Sequence, residues 1–156
     1  MNVLVLGCGL VGRPMALDLA NDESFNVTVA DINLKNLKKI PATLPIKKMQ
    51  KDLSNTDQIK SLLKKADIVI NAVPGFMGFN TLREIIKAKK NVVDIAFFPE
   101  NPFELDELAK QNNVTAVVDC GVAPGMSNLL AGYVNSILDK TETVLIYVGG
   151  LPVVRE

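Results

Sequence analysis

Gly7, Gly9 and Gly12 stand in the run Gly7-Cys8-Gly9-Leu10-Val11-Gly12, directly behind the apolar stretch Val3-Leu4-Val5-Leu6. Few backbones need glycine at that spacing in that place; a strand that turns sharply into a helix is one that does. The first glycine permits the exit from the strand, the second leaves room for a ligand to approach the backbone, and the third lets the helix pack close to the sheet. At the helix N-terminus, unpaired N–H groups and the positive end of a dipole favour an anion. Asp31 closes the next apolar run, nineteen residues after Gly12, where a carboxylate would accept hydrogen bonds from ribose hydroxyls. Together these residues read as a dinucleotide fingerprint, with Gly7, Gly9 and Gly12 at the pyrophosphate and Asp31 at the adenosine ribose.

Further strand-like runs fall at Val27–Ala30, Ile46–Met49, Ile68–Ala72, Val92–Ile95, Thr115–Val118 and Val144–Val148, with helical stretches between most of them. Such alternation predicts an α/β fold, a doubly wound parallel sheet of the Rossmann type with strand order 3-2-1-4-5-6 and ligands beyond the carboxyl ends of the strands. Leu10, Ala16, Leu17 and Ala20 suit one face of the first helix, which Asn21-Asp22 ends. Ser54-Asn55 announces a helix with Ile59, Leu62 and Leu63 as its buried stripe. Later helices are expected over about 81–89 and 103–112. A chain of 156 residues with 48% hydrophobic and 5% aromatic content fits one aliphatic-cored domain. The division expected is a dinucleotide-binding domain over 1–139, then an exit strand over 140–156 leading toward a further domain, with Gly149-Gly150-Leu151-Pro152 breaking that strand.

Seventeen basic residues balance seventeen acidic ones, which argues against nucleic acid or an anionic membrane as partner. Met1 leads straight into the first strand and no apolar run is long enough to span a bilayer, so a cytoplasmic location is expected. Two cysteines, Cys8 and Cys120, and no histidine give neither a disulfide framework nor a zinc site. Proton transfer would fall to Lys, Asp, Glu, Tyr, Cys or water.

Several segments lie just past predicted strands, where the crevice of a doubly wound sheet opens. Asp52-Leu53 suits the edge and face of an adenine ring, and equally a turn aspartate beside a core leucine. Asn71-Ala72-Val73-Pro74-Gly75 offers small residues where a cofactor backbone would pass, although a Pro-Gly turn explains half of that pattern. Five of the six phenylalanines, Phe76, Phe79, Phe97, Phe98 and Phe103, crowd into two loops on this edge. They suit a surface to be covered by a nicotinamide ring, a second domain or another subunit, or else a satellite core. Asp94 and Asp119 could bind substrate nitrogen or orient a water, with structural hydrogen bonding to loop amides favoured. Cys120 has no histidine to activate it and reads as a small buried residue.

The stretch Val3 to Gly12, the segment Asp119 to Tyr133 and the ending Tyr147-Val148-Gly149-Gly150-Leu151-Pro152 together resemble the saccharopine dehydrogenase superfamily, particularly its lysine 6-dehydrogenase-like branch. That resemblance implies a two-domain oxidoreductase acting on a C–N bond of a small amino-acid substrate with a nicotinamide cofactor. It further implies that Gly7, Gly9, Leu10, Val11 and Gly12 bind pyrophosphate and Asp31 the ribose. Asp52, Leu53, Ala72, Val73 and Pro74 would line the rest of the cofactor path. Because the family continues well past the Gly-Gly-Leu-Pro segment, the chain is expected to be a cofactor-binding portion that does not turn over alone; phenylalanines exposed on the crevice edge further predict self-association, hence a homo-oligomer. NAD is favoured over NADP: Asp31 would repel a 2′-phosphate, and Ile32 and Asn33 supply no guanidinium to counter it. Lys35 nearby leaves NADP as the lesser outcome. A free-standing nucleotide-sensing module is the alternative. A one-domain short-chain dehydrogenase is not, since Tyr133 and Tyr147 are followed four residues later by Ile137 and Leu151 rather than lysine.

Overall fold

In the computed structural model, which describes residues 1–149, six of the seven predicted runs lie side by side as parallel strands. In chain order they are β1 (Asn2–Leu6), β2 (Asn26–Asp31), β3 (Lys47–Gln50), β4 (Ile68–Asn71), β5 (Asn91–Asp94) and β6 (Ala116–Val117). Their spatial order is β3-β2-β1-β4-β5-β6, as expected from sequence. The alternation of side chains along β1 splits the core in two: Leu4 and Leu6 enter one apolar cluster with Ile59, Leu63, Leu82 and Ile85, while Val5 enters the other with Ala16, Val27 and Val29. Because both faces are covered, the central strands β1, β2 and β4 are mostly aliphatic on both sides.

Helices α1 (Gly12–Leu19), α2 (Leu34–Lys38), α3 (Thr56–Leu63), α4 (Gly75–Lys87) and α5 (Asp106–Asn112) occupy the crossovers, with a 3₁₀ turn over Pro102–Leu105 ahead of α5. The Asn55 side chain caps α3 by accepting from the N–H groups of Asp57 at 3.0 Å and Gln58 at 3.2 Å, and Ile59, Leu62 and Leu63 are its buried residues. Loss of this cap in Asn55→Ala should lower stability by about 1 kcal/mol, read by urea denaturation, with the strand order untouched.

Some expectations are corrected. Helix α1 starts at Gly12, which leaves Leu10 outside it and exposed. Helix α2 was not foreseen, because five residues give no clear periodicity. Helix α4 begins at Gly75, well before the expected 81, with Pro74 as its N-cap; the Pro-Gly pair opens a helix instead of closing a turn. A Cβ on Gly75 would meet the Phe97 carbonyl oxygen, so glycine is needed there for close approach. Residues 144–148 form no strand, having no neighbouring strand to pair with among the described residues; Leu145 and Tyr147 are exposed. The remainder of the expected strand break, from Gly150 onward, lies outside the described residues.

The chain divides into two units, one over Met1–Val118 and a second that opens at Asp119. The second unit carries helix α6 (Met126–Ile137), none of whose residues is buried. Asn128 accepts from the Gly125 N–H at 3.2 Å at its entry. Among the described residues no helix is long and apolar enough to cross a membrane.

Candidate functional site

β1 hands the chain to the glycine turn at Gly7, whose φ of +99° is open to glycine and whose N–H donates to the Ala30 carbonyl at 2.9 Å. A Cβ on Gly7 would meet the Ala72 carbonyl, and one on Gly12 would meet the carbonyl oxygen of Gly7. Both glycines therefore pack backbone against backbone. Gly9 differs, because a Cβ there meets nothing within 4 Å: its open side faces the crevice. Helix α1 follows with Val11 at its N-cap and no side-chain cap, so its first turn offers N–H groups to an incoming anion.

Asp31, at the end of β2, is 9% exposed, and its carboxylate is engaged. Oδ2 accepts from the Cys8 N–H at 2.7 Å and from Asn36 Nδ2 at 3.5 Å, and Oδ1 accepts from the Asn33 N–H at 2.6 Å. The carboxylate thus ties the glycine turn to the β2 exit. A carboxylate has about four acceptor sites, so lone-pair capacity remains for a ribose hydroxyl. Within the same turn Cys8 is fully buried and its Sγ donates to the Asn36 carbonyl at 3.6 Å. Burial, reinforced by the Asp31 charge, pushes its thiol pKa up and keeps it neutral.

Past β3, Asp52 accepts from the Ser54 hydroxyl at 2.7 Å and the Ser54 N–H at 2.9 Å, which hold its carboxyl below the usual carboxylate range. Asp52 is the turn aspartate that one sequence reading described, and Leu53 beside it is buried in the core. Past β4, the Ala72 N–H donates to the Leu6 carbonyl at 2.9 Å, Val73 is buried, and Pro74 opens α4.

Gly7, Gly9, Leu10, Val11, Asp31, Asp52, Leu53, Ala72, Val73 and Pro74 all line one cavity of ≈ 600 Å³ at the carboxyl ends of β1, β2, β3 and β4. Gly12 is the exception and packs against the turn instead. Ile32, Asn33, Asn36, Ser54, Phe76 and Met77 complete the lining. Sequence reasoning did not single out Asn33 and Asn36 for the site; the signal was Asn33 as the N-cap of the unforeseen α2, its Oδ1 accepting from the Lys35 N–H at 2.9 Å. The phenylalanine cluster divides. Phe79 is buried and Phe98 meets it edge-on with ring centroids 5.6 Å apart, as satellite core, whereas Phe76, Phe97 and Phe103 are exposed. Cys120 is partly exposed where burial was expected.

A parallel sheet of this order, with a glycine turn feeding a helix N-terminus and a cavity at its switch point, defines a Rossmann-type dinucleotide-binding domain. Residues 3–117 match the family described as Saccharopine dehydrogenase NADP binding domain, and the chain belongs to that family. A nicotinamide dinucleotide is the cofactor class of such domains. Among relatives, the chain is 33% identical over 159 residues to saccharopine dehydrogenase [NADP(+), L-glutamate-forming] of Pyricularia oryzae, covering 97% of this chain and 34% of that protein. It is 29% identical over 155 residues to the Saccharomyces cerevisiae protein of the same name, covering 97% of this chain and 35% of that one. The solved apo saccharopine dehydrogenase (L-Glu forming) of Saccharomyces cerevisiae superposes with a TM-score of 0.75 at 27% identity, covering 86% of this chain and 30% of that one. The chain spans about a third of the length of the curated relatives it matches.

Proposed function

We propose that the cavity binds a nicotinamide dinucleotide, with the pyrophosphate on the glycine turn and the first turn of α1, and the adenosine ribose at Asp31. Leu53 and Asp52 would flank the adenine, and Ala72, Val73 and Pro74 the path onward. The observation that carries this reading is convergence. Residues chosen from four separate sequence segments line one cavity, and the one left out, Gly12, holds the turn's shape.

The relatives are named for NADP(+), as is the family to which the chain belongs. The adenosine end of this chain supports NAD(H) instead. Its cavity is lined by two carboxylates, Asp31 and Asp52, and by no lysine or arginine among the described residues. A 2′-phosphate dianion there would meet like charge without a guanidinium to offset it. Calorimetric titration with NADH and NADPH tests both parts. Saturable binding with NADH the tighter ligand is expected; tighter NADPH would overturn the cofactor choice, and no binding of either would overturn the site.

The wider activity proposed is that of an oxidoreductase on a CH–NH or CH–NH₂ group of an amino acid such as lysine or saccharopine. Bound nicotinamide would accept hydride from the carbon bearing the nitrogen, the nitrogen's proton passing to solvent, and water would open the resulting imine. This chain's share is to hold the cofactor and keep its reactive ring in place. Substrate binding and proton transfer would fall to a further domain, and the assembly would be a homo-oligomer.

A further inference from the structure

A sheet built for stability alone would place aliphatic residues at the buried ends of β4 and β5, yet Asn71 and Asp94 stand there, both 0% exposed and paired in register. Asn71 Nδ2 donates to Asp94 Oδ2 at 2.6 Å and to the Gly78 carbonyl at 3.3 Å. Asp94 Oδ1 accepts from the Ala96 N–H at 2.7 Å, and the Asn71 carbonyl accepts from the Ile95 N–H at 3.0 Å. The arrangement is costly, because Asn71 Oδ1 is buried without a hydrogen-bond partner.

What the pair joins is specific. Asn71 immediately precedes the cavity-lining residues Ala72, Val73 and Pro74, and its amide also holds the first turn of α4 through Gly78. Asp94 holds the chain leaving β5. The same two segments touch at their glycines: a Cβ on Gly75 would meet the Phe97 carbonyl, and one on Gly78 would lie 2.8 Å from Ala96 Cβ and from a Phe98 ring carbon. One side-chain pair thus fixes the exit of β4, the start of α4 and the exit of β5 as a single body. β4 and β5 belong to the second mononucleotide half of a doubly wound sheet, the half that receives the nicotinamide nucleotide when the first half holds the adenosine.

We infer that Asn71 and Asp94 are positioning residues that set the platform for the nicotinamide ring, with no direct contact to it required. This rests on the cofactor reading above. The discriminating readout compares NADH with ADP-ribose, which lacks the ring, in calorimetric titrations of the whole chain. Asp94→Asn leaves Asn71 Nδ2 or the Ala96 N–H facing an NH₂ group unless the Asn71 amide turns over and gives up Gly78, and Asn71→Asp sets two carboxylates together. Each is expected to weaken NADH about tenfold, while ADP-ribose changes by less than about threefold. The exchanged double variant Asn71→Asp/Asp94→Asn restores a donor facing an acceptor across the pair, with a carboxylate oxygen now facing the Gly78 carbonyl, and should return the NADH to ADP-ribose ratio toward the parent's. Where a single variant does not fold, the double variant decides.

Equal weakening of both ligands, or a fall in unfolding midpoint with the ratio unchanged, would reduce the pair to a structural role and overturn the inference. A double variant that is unfolded, or folded without recovering the ratio, overturns it as well. A parent chain that binds neither ligand would sink the cofactor reading itself, and one that binds ADP-ribose but gains nothing from the ring would sink the platform alone.

Discussion

A Gly9→Val chain is expected to fold as the parent does and to show no saturable binding of NADH. The reasoning is geometric. A Cβ at Gly9 meets nothing within 4 Å, and its φ lies outside the left-handed region, so the folded chain has space for the side chain. That space is where the pyrophosphate must come close to the backbone. Urea denaturation should place the variant within about 0.5 kcal/mol of the parent, while calorimetry registers no binding. Gly12→Val is the control that separates the two jobs of the motif. Its Cβ would run into the Gly7 carbonyl, with Ala72 Cβ 3.1 Å away, and neither can withdraw without moving β1 or the exit of β4. This variant should lose about 3 kcal/mol of stability. If Gly9→Val bound NADH like the parent, the pyrophosphate would have to be sought elsewhere.

Asp31→Ala should damage both fold and binding. Removing the carboxylate leaves the N–H groups of Cys8 and Asn33 without the acceptor they now meet at 2.7 and 2.6 Å, and the Cys8 N–H is buried. With each orphaned donor costing about 1–3 kcal/mol, an overall loss of about 3 kcal/mol is expected by denaturation. Binding should fall further than the lost ribose bonds alone would explain, because the turn that presents Gly9 is released from the β2 exit. Asp31→Asn sharpens the test: it keeps size and one acceptor but turns an NH₂ toward a backbone donor. It should lie between parent and alanine variant in stability while losing about tenfold in NADH affinity. A fully stable Asp31→Ala that merely bound NADH less tightly would assign the carboxylate to the ligand and not to the turn.

That double duty marks the limit of what the sequence could tell. The spacing of Asp31 from Gly12 pointed to a ribose partner, and it could not reveal that the carboxylate already serves the Cys8 and Asn33 amides, since those bonds depend on how the β2 exit folds back through α2. Strand order was legible because the strand-like runs and their crossovers leave few windings open. The start of α4 was not, because Pro74-Gly75 has the composition of a turn, and only the close approach of the Phe97 carbonyl explains why a helix begins there with glycine. Val144–Val148 has the composition of a strand, but a strand exists only when a partner is beside it. Composition likewise could not sort the phenylalanines: Phe79 lies on the buried face of α4, whereas Phe76, three residues earlier, is 82% exposed at the cavity.

The two ends of the sheet bear on how this chain behaves at high concentration. An open sheet invites other chains to extend it by main-chain pairing, and long apolar borders are where fibrils begin. Here one border, β3, reads Lys47-Lys48-Met49-Gln50, and Lys48 bends its ammonium onto the Ile40 carbonyl at 2.7 Å. The opposite border, β6, offers two residues of strand. Bringing two copies together at β3 would set lysine-bearing borders against each other, and at β6 there is little main chain to share. Copies of this domain are thereby steered away from sheet-to-sheet polymerisation.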